Sequence, residues 1–172
     1  MKKDNWIIKA FLMTFFIALI FNAISNVIVN SCNNFAVLII LCLAFILIGI
    51  FFDIIGTAVL TANEASFHAK SSKKIKGSKE GVYLVKNSST ISSICNDVIG
   101  DICGIGSVAA MLSILVSNKT NFSLVIVTLL ISSLVSSLTV GGKAIGKKFA
   151  IRNNDSIIFM VAKVMYKFRF KK

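Results

Sequence analysis

Residues 35–60, FAVLIILCLAFILIGIFFDIIGTAVL, form one apolar run that contains a single charged residue, Asp53. A helix of about 20 mostly apolar residues is long enough to cross the hydrocarbon core of a bilayer. The run therefore predicts a transmembrane helix, and it sets the pattern to look for in the rest of the chain.

Three further apolar runs of similar length lie at about residues 6–29, 91–116 and 122–140. Short polar segments at 30–34 and 117–121 are expected to be the outer turns between consecutive spans. The first run follows Lys2 and Lys3 and could be a secretory signal, but it is longer than the roughly 7–15 apolar residues of a signal core. We therefore expect an uncleaved helix, and residues 1–172 as a single transmembrane domain with about four spans.

The basic residues indicate how this domain is oriented. Of nineteen Lys and Arg residues, all but Lys119 fall in three patches, at residues 2–9, 70–86 and 143–172. Positive charge in short loops is retained on the cytoplasmic side of a membrane. Four crossings would place all three patches on that side. The pattern predicts a multi-pass protein of the bacterial inner (cell) membrane, with both termini and residues 61–90 in the cytoplasm.

The composition narrows the class of partner. The chain is 56% hydrophobic with a mean hydropathy of +0.84, which is far more apolar than a soluble domain. Its net charge of +12 could otherwise indicate nucleic acid. However, no basic stripe interleaves with aromatic residues as nucleic-acid binding would require. Because the cations flank the apolar runs, the expected partners are the lipid bilayer and its anionic headgroups, and no nucleic acid.

Two short helices are expected between the second and third spans, within residues 61–90. Thr61 and Glu64 have the spacing of a capping box and predict a helix that ends near Gly77. Ser78 is expected to cap a second helix that ends at Asn87-Ser88. Both helices, and another in the basic tail 142–172, alternate lysines with apolar residues, as is typical of helices on a membrane surface. The expected fold is therefore all-α and polytopic.

An enzyme is not expected. No hydrolase, nucleotide or zinc motif is present, and the single histidine, His68, falls on a lysine-rich surface helix where it should be solvated. Three of the four cysteines lie within predicted spans and should pack as small apolar residues. The fourth, Cys32, falls in a predicted outer turn without an obvious partner, so no disulfide framework is predicted.

The residues that could carry chemistry are the charged ones in the spans: Asp53, Asp97, Asp101 and Lys143. Each costs roughly 2.5–3.5 kcal/mol at bilayer depth, and such groups usually mark ion paths or paired structure. Asp97 and Asp101 are four residues apart, and Asp53 lies at a similar depth in the inner half of the membrane, so the three carboxylates are expected to meet. Carboxylate oxygens suit Mg²⁺. In the alternative interpretation, Lys143 neutralises one of the aspartates and the others face water or helix ends.

Four segments resemble the transmembrane domain of CNNM/CorC-type magnesium transporters. They are Phe-Phe-Asp with Gly-Thr-Ala-Val at 51–59, the glycine between two surface helices at 76–79, Ile-Gly-Asp-Ile at 99–102, and Gly-Lys-Ala-Ile-Gly-Lys at 142–147. The resemblance extends from about residue 35 to the end, without the family's cytoplasmic regulatory domains. It implies a homodimer and a site for a transported Mg²⁺ ion at Asp53, Asp97, Gly100 and Asp101, with no tightly bound cofactor.

The chain departs from the family at charged positions. Asp101 stands where the family has an asparagine ligand, and Lys143 stands where it has a glutamate. We expect Lys143 to pair with Asp101 or Asp97 and to act as a competing internal cation. Two functions follow from this interpretation. The chain moves or senses a divalent cation, or it is a non-transporting membrane module that binds and modulates a partner membrane protein.

Overall fold

The computed structural model describes residues 4–31, 35–106 and 122–169, and every regular element in those ranges is helical. The long helices are α1 (Asp4–Ser31), α2 (Phe35–Thr61) and α6 (Phe122–Arg152). The shorter ones are α3 (Glu64–Ser72), α4 (Ser78–Lys86), α5 (Ser88–Ser93) and α7 (Asn154–Arg169). A π-helical segment, Ile94–Gly100, continues from α5 into a helical stretch at 101–106. The all-α prediction is confirmed for the described residues.

Two of these helices are long and apolar enough to cross a membrane, judged by length and composition: Ile39–Thr61 and Leu129–Arg152. A shorter apolar stretch, Ala10–Ile24, lies within α1. Only 33% of the first candidate span and 17% of the second are buried inside the protein. A core helix of a soluble protein would be mostly buried. The outward faces of α2 and α6 are apolar as well, with Leu47 and Leu134 each 66% exposed.

The apolar runs predicted from the sequence agree with α1 and α2 better than with α6. α1 and α2 contain the first two runs, whereas α6 continues twelve residues beyond the predicted end at 140. No proline interrupts it, and its glycines allow close packing, because a Cβ on Gly142 or Gly146 would crowd Ile50 or Ile54 of α2. Lys143 and Lys147 therefore belong to α6 and not to a separate tail. Residues 107–116 of the predicted third span, and residues 32–34 and 117–121 of the outer turns, lie outside the described residues.

The predicted cap of α3 was wrong. Asn63 is the N-cap, and its side chain accepts a hydrogen bond of 3.0 Å from the amide of Ala65. Thr61 instead belongs to the last turn of α2, where its hydroxyl donates to the carbonyl of Thr57 at 2.9 Å. Asparagine and threonine are both common N-caps. Thr61 cannot act as one here, because it is the last residue of α2.

The cap of α4 also differs from the prediction. Gly77 occupies the N-cap position with φ 86°, a left-handed conformation that a side chain disfavours. Ser78 is the first residue of the helix, and its hydroxyl donates back to the carbonyl of Ile75 at 2.6 Å. The close approach of α7 is a second reason for a glycine at position 77, because a Cβ there would lie 3.2 Å from the Cα of Lys163. α4 ends at Lys86 with Asn87 as its C-cap, next to the predicted end at Asn87-Ser88.

The largest buried cluster joins α3, α4 and α7 to the ends of α2 and α6. Its members are Ala58, Val59, Phe67, Leu84, Val85, Ala150, Ile158 and Ala162. The surface helices were expected to turn their apolar residues toward the membrane. Instead Phe67, Ile158 and Ala162 are fully buried inside the protein, because the three helices pack on one another. We call this unit, α3 with α4 and α7, the helical cap.

One hydrogen bond fastens the cap to the end of α2, and a second joins α3 to α7 within the cap. The Asn154 side-chain amide donates to the carbonyl of Thr61 at 2.8 Å. The Ser66 hydroxyl donates to Asp155 Oδ2 at 2.6 Å. These bonds fix the start of α7 beside the link between α2 and α3, so the two lysine-rich segments of the chain meet at one end of the helix bundle.

The prediction that the cysteines within the spans pack as small apolar residues is confirmed for the three that the structure describes. Cys42, Cys95 and Cys103 are free and buried. Cys42 packs with Ile46 and Val135 in a second small cluster between α2 and α6. Cys32 lies outside the described residues.

Candidate functional site: a charge cluster between three helices

Asp53 is the buried centre of the site. It interrupts the apolar run of α2 and is only 2% exposed. Its Oδ1 lies 3.7 Å from Nζ of Lys147 in α6, a lysine whose side chain is half exposed. Its Oδ2 is buried and has no hydrogen-bond partner among the described residues. An apolar helix thus turns one carboxylate toward α6, where a basic residue compensates its charge.

A second pair lies one turn earlier on α6. Lys143 Nζ donates a hydrogen bond of 3.1 Å to Asp101 Oδ1. The Lys143 side chain is 17% exposed and that of Asp101 is 66% exposed, so the lysine reaches from the interior toward a carboxylate at the edge. A Cβ built on Gly100 would lie 3.5 Å from Lys143 Nζ. The ammonium group therefore lies directly beside Gly100, and the expected pairing of Lys143 with an aspartate is present.

These four residues form what we call the charge cluster: Asp53, Asp101, Lys143 and Lys147. Lys147, Lys143 and Asp101 all act electrostatically on Asp53, which makes the two pairs one unit. Two carboxylates face two ammonium groups, so the cluster is neutral without any bound metal ion. Each pair joins a different helix to α6, and the cluster fixes how these helices are placed relative to one another.

Asp97 does not join the charge cluster. It is exposed and lines a cavity of about 290 Å³ toward α1, beside Ala10, Phe11 and Thr14. The expected meeting of Asp53, Asp97 and Asp101 is therefore not found. In the part of the chain that the structure describes, no three His, Cys, Asp or Glu side chains form a group that could hold a metal ion.

A π-helical segment lies at this point of the chain. Asp97 lies inside the segment Ile94–Gly100, and Asp101 follows it directly. A π turn contains more residues than an α turn, so the residues on either side rotate away from the α-helical register. Sequence spacing alone assumes a regular α-helix, in which positions four apart share a face. Here one carboxylate faces α1 while the other reaches α6.

Asn96 is a polar residue of the site that the sequence analysis did not single out. Its amide Nδ2 donates to Ser92 Oγ at 3.2 Å, while Oδ1 is buried without a hydrogen-bond partner among the described residues. The side chain packs directly against Gly56, where a Cβ would overlap Oδ1. The available signal was an amide within the predicted third span, next to Asp97, and polar side chains within a span commonly form hydrogen bonds between helices.

The remaining prediction concerns His68. Its side chain is 59% exposed and its Nε2 lies 3.1 Å from Glu64 Oε1, one turn away on the same helix. The histidine is thus a surface residue, as expected.

No protein-family model, curated protein or solved structure matches this chain. The resemblance to the magnesium-transporter family therefore rests on the four sequence segments alone.

Proposed function

We propose that this chain is a multi-pass protein of the bacterial inner membrane, with about four spans and both termini in the cytoplasm. Two observations support this topology. The long apolar helices α2 and α6 keep most of their apolar surface outside the protein, where lipid would cover it. The basic stretches at 70–86 and 154–169 meet in the helical cap, as the cytoplasmic face of such a protein should.

The function that the geometry supports best is that of a non-transporting membrane module that binds and modulates a partner membrane protein. The observation that carries this proposal is the position of Lys143, whose ammonium lies beside Gly100 and 3.1 Å from Asp101. These are the positions where the resemblance would place ligands of a dication. A lysine there repels a divalent cation, and the low dielectric of a membrane interior strengthens that repulsion.

In this proposal the two Asp–Lys pairs act as structural locks. Charged groups that are expensive in a membrane are tolerated when they are paired, and pairs between helices determine how those helices associate. The transmembrane core of the CNNM/CorC type would then be kept as a scaffold, with its exposed apolar faces available for a second copy or another membrane protein. A homodimer follows from the same resemblance.

Transport or sensing of a divalent cation is the second candidate, and one observation favours it. Two buried oxygens near the cluster, Asp53 Oδ2 and Asn96 Oδ1, have no hydrogen-bond partner among the described residues. Unpaired buried oxygens are costly, and a cation is one way to satisfy them. If Lys143 were displaced, these oxygens and Asp101 could face an ion such as Mg²⁺.

Flux measurements distinguish the two candidates. The purified chain is reconstituted in liposomes, and the entry of Mg²⁺, Mn²⁺ and Co²⁺ is compared with that into empty vesicles. We expect no flux above the empty vesicles for any of the three ions. Flux of any of them through the native chain would overturn the module and establish transport.

A further inference from the structure

The turn between α3 and α4 forms a cleft with α7. Residues 71–72 and 74–80 make its walls, and Tyr166 of α7 closes one side, which leaves a volume of about 810 Å³. None of the four residues of the charge cluster contributes to its lining. The cleft is therefore a separate feature of the molecule.

The lining is strongly cationic. Lys74, Lys76 and Lys79 all contribute to it and all are exposed, so their ammonium groups can turn toward a ligand in the cleft. The lining contains one carboxylate, that of Glu80, which is 9% exposed and belongs to the wall. Three lysines and one glutamate give the lining a net positive charge, which favours an anionic ligand.

Other groups in the lining favour a phosphate over a carboxylate. Ser71 brings a hydroxyl group that can donate a hydrogen bond to a ligand oxygen, whereas the Ser72 hydroxyl donates to the carbonyl of His68 at 3.1 Å. The first turn of α4 also borders the cleft, and Gly77 provides no side-chain cap there. The positive end of a helix favours an anion, and phosphate groups often bind at this position. Lysine serves well as a point charge for phosphate.

The turn itself holds these groups in a defined shape. Gly77 is left-handed and packs against the backbone of Lys163, and Lys74 is also left-handed with φ 52°. A non-glycine residue in that conformation is uncommon and carries a conformational cost. Two such residues within four positions make a compact turn, and it directs the lysines around a common space.

We propose that this cleft binds a phosphate-bearing anion, either the phosphate of an anionic lipid headgroup or a small soluble phosphate compound. The two sources share the chemistry that the lysines, Ser71 and the α4 terminus recognise. A headgroup is available because the cap follows directly on α2 and α6, the two helices with the length and composition of membrane spans. The proposal does not depend on whether the charge cluster transports an ion.

The test compares two matched double variants of the full chain in lipid nanodiscs. Lys76→Gln with Lys79→Gln removes two charges from the cleft. Lys86→Gln with Lys148→Gln removes two exposed charges that do not line it. Thermal unfolding and binding are measured in discs of zwitterionic lipid with added pyrophosphate, and in discs that also contain phosphatidylglycerol. A third variant, Ser72→Glu, places a negative charge in the lining without removing any lysine.

We expect the native chain and the Lys86/Lys148 variant to bind alike, and the Lys76/Lys79 variant to bind about tenfold more weakly or worse, since it loses two charge-assisted contacts. Ser72→Glu should weaken binding as well. A response to pyrophosphate in zwitterionic discs identifies a soluble ligand, whereas a response confined to phosphatidylglycerol discs identifies the headgroup. Equal weakening of both double variants would show diffuse attraction and overturn the site. No response of the native chain to either probe would also overturn it.

Discussion

Lys143 and Asp101 lie 42 residues apart in the sequence, yet the lysine donates a 3.1 Å hydrogen bond to the aspartate across the interface between α6 and the helical stretch at 101–106. The pair is asymmetric, because the lysine side chain is 17% exposed and the carboxylate 66%. The lysine is therefore the member that depends on its partner, whereas water can solvate much of the carboxylate. Substitutions at position 143 should have the larger effect on the charge cluster.

Lys143→Glu should create or strengthen divalent-cation binding. The substitution removes one positive charge and adds carboxylate oxygens beside Asp101 and Gly100. At a Mg²⁺ concentration one hundred times the Kd, the variant should be stabilised by about 2.7 kcal/mol relative to its ion-free form. Thermal unfolding in detergent with and without Mg²⁺ measures this difference.

Lys148→Glu is the matched control, since Lys148 is exposed on the same helix and the charge change is identical. It should show no Mg²⁺ dependence. Strong Mg²⁺ stabilisation of the native chain that Lys143→Glu leaves unchanged would contradict the lock interpretation and restore the transporter interpretation.

Gly56→Ala should destabilise the contact between α2 and the π-helical segment. The new Cβ overlaps Asn96 Oδ1, and overpacking of this kind costs about 1–3 kcal/mol. Gly141→Ala is the control, because no atom lies within 4 Å of its Cβ position. The control should be neutral or stabilise α6 by up to about 1 kcal/mol.

The double variant Gly56→Ala with Asn96→Ala identifies the cause. Removing the amide makes room for the new methyl group, so the double variant should recover part of the stability lost in the single one. If Asn96→Ala only adds to the loss, the overlap between these two side chains is not the reason for it.

Phe67→Ala should lower the stability of the helical cap. Phe67 is fully buried in the cluster that joins α3, α4 and α7 to α2, and such truncations cost about 3–5 kcal/mol. Tyr83→Ala, at a position 59% exposed on α4, should change stability by about 0.5 kcal/mol or less. Equal effects of the two substitutions on the unfolding temperature would refute the assignment of the cap core.

Cysteine labelling tests the topology. In a chain without its native cysteines, Ile75→Cys should react only with reagents that reach the cytoplasm, and Asn118→Cys should react from outside. Ile75 is suitable because it is 40% exposed in the turn between α3 and α4. Labelling of position 75 from outside would reverse the orientation, and the proposed cytoplasmic cap would have to be abandoned.

Much of the helical layout could be predicted from the sequence because it depends on local patterns. The run at 35–60 is long, apolar and bounded by polar residues, and α2 follows it closely. The pairing of Lys143 could also be expected, since an isolated charge in an apolar run requires a partner. The N-cap residue of α3 was predicted wrongly because Thr61 and Asn63 are both suitable N-cap residues. Only the length of α2 decides between them.

The arrangement of the site could not be predicted in the same way. Asp53 and Lys147 are 94 positions apart, and their pairing depends on α6 continuing past residue 140. Asp97 and Asp101 have the spacing of one α-helical face, but the π-helical segment has no residue signature that would reveal the change of register. The burial of Ile158 was unexpected for a related reason. An amphipathic helix can turn its apolar face toward lipid or toward protein, and sequence alone does not distinguish the two.

The helical cap also has a consequence for the order of synthesis. Phe67 leaves the ribosome long before Ile158 and Ala162, the residues of α7 that complete its surroundings. Until α7 emerges, the nascent chain presents an unfinished apolar surface next to its lysine-rich turn, and the bonds from Asn154 and Ser66 cannot form. The growing chain is therefore most prone to misassembly between these two events, and a ribosome that stalls within α6 would leave the cap without its last wall.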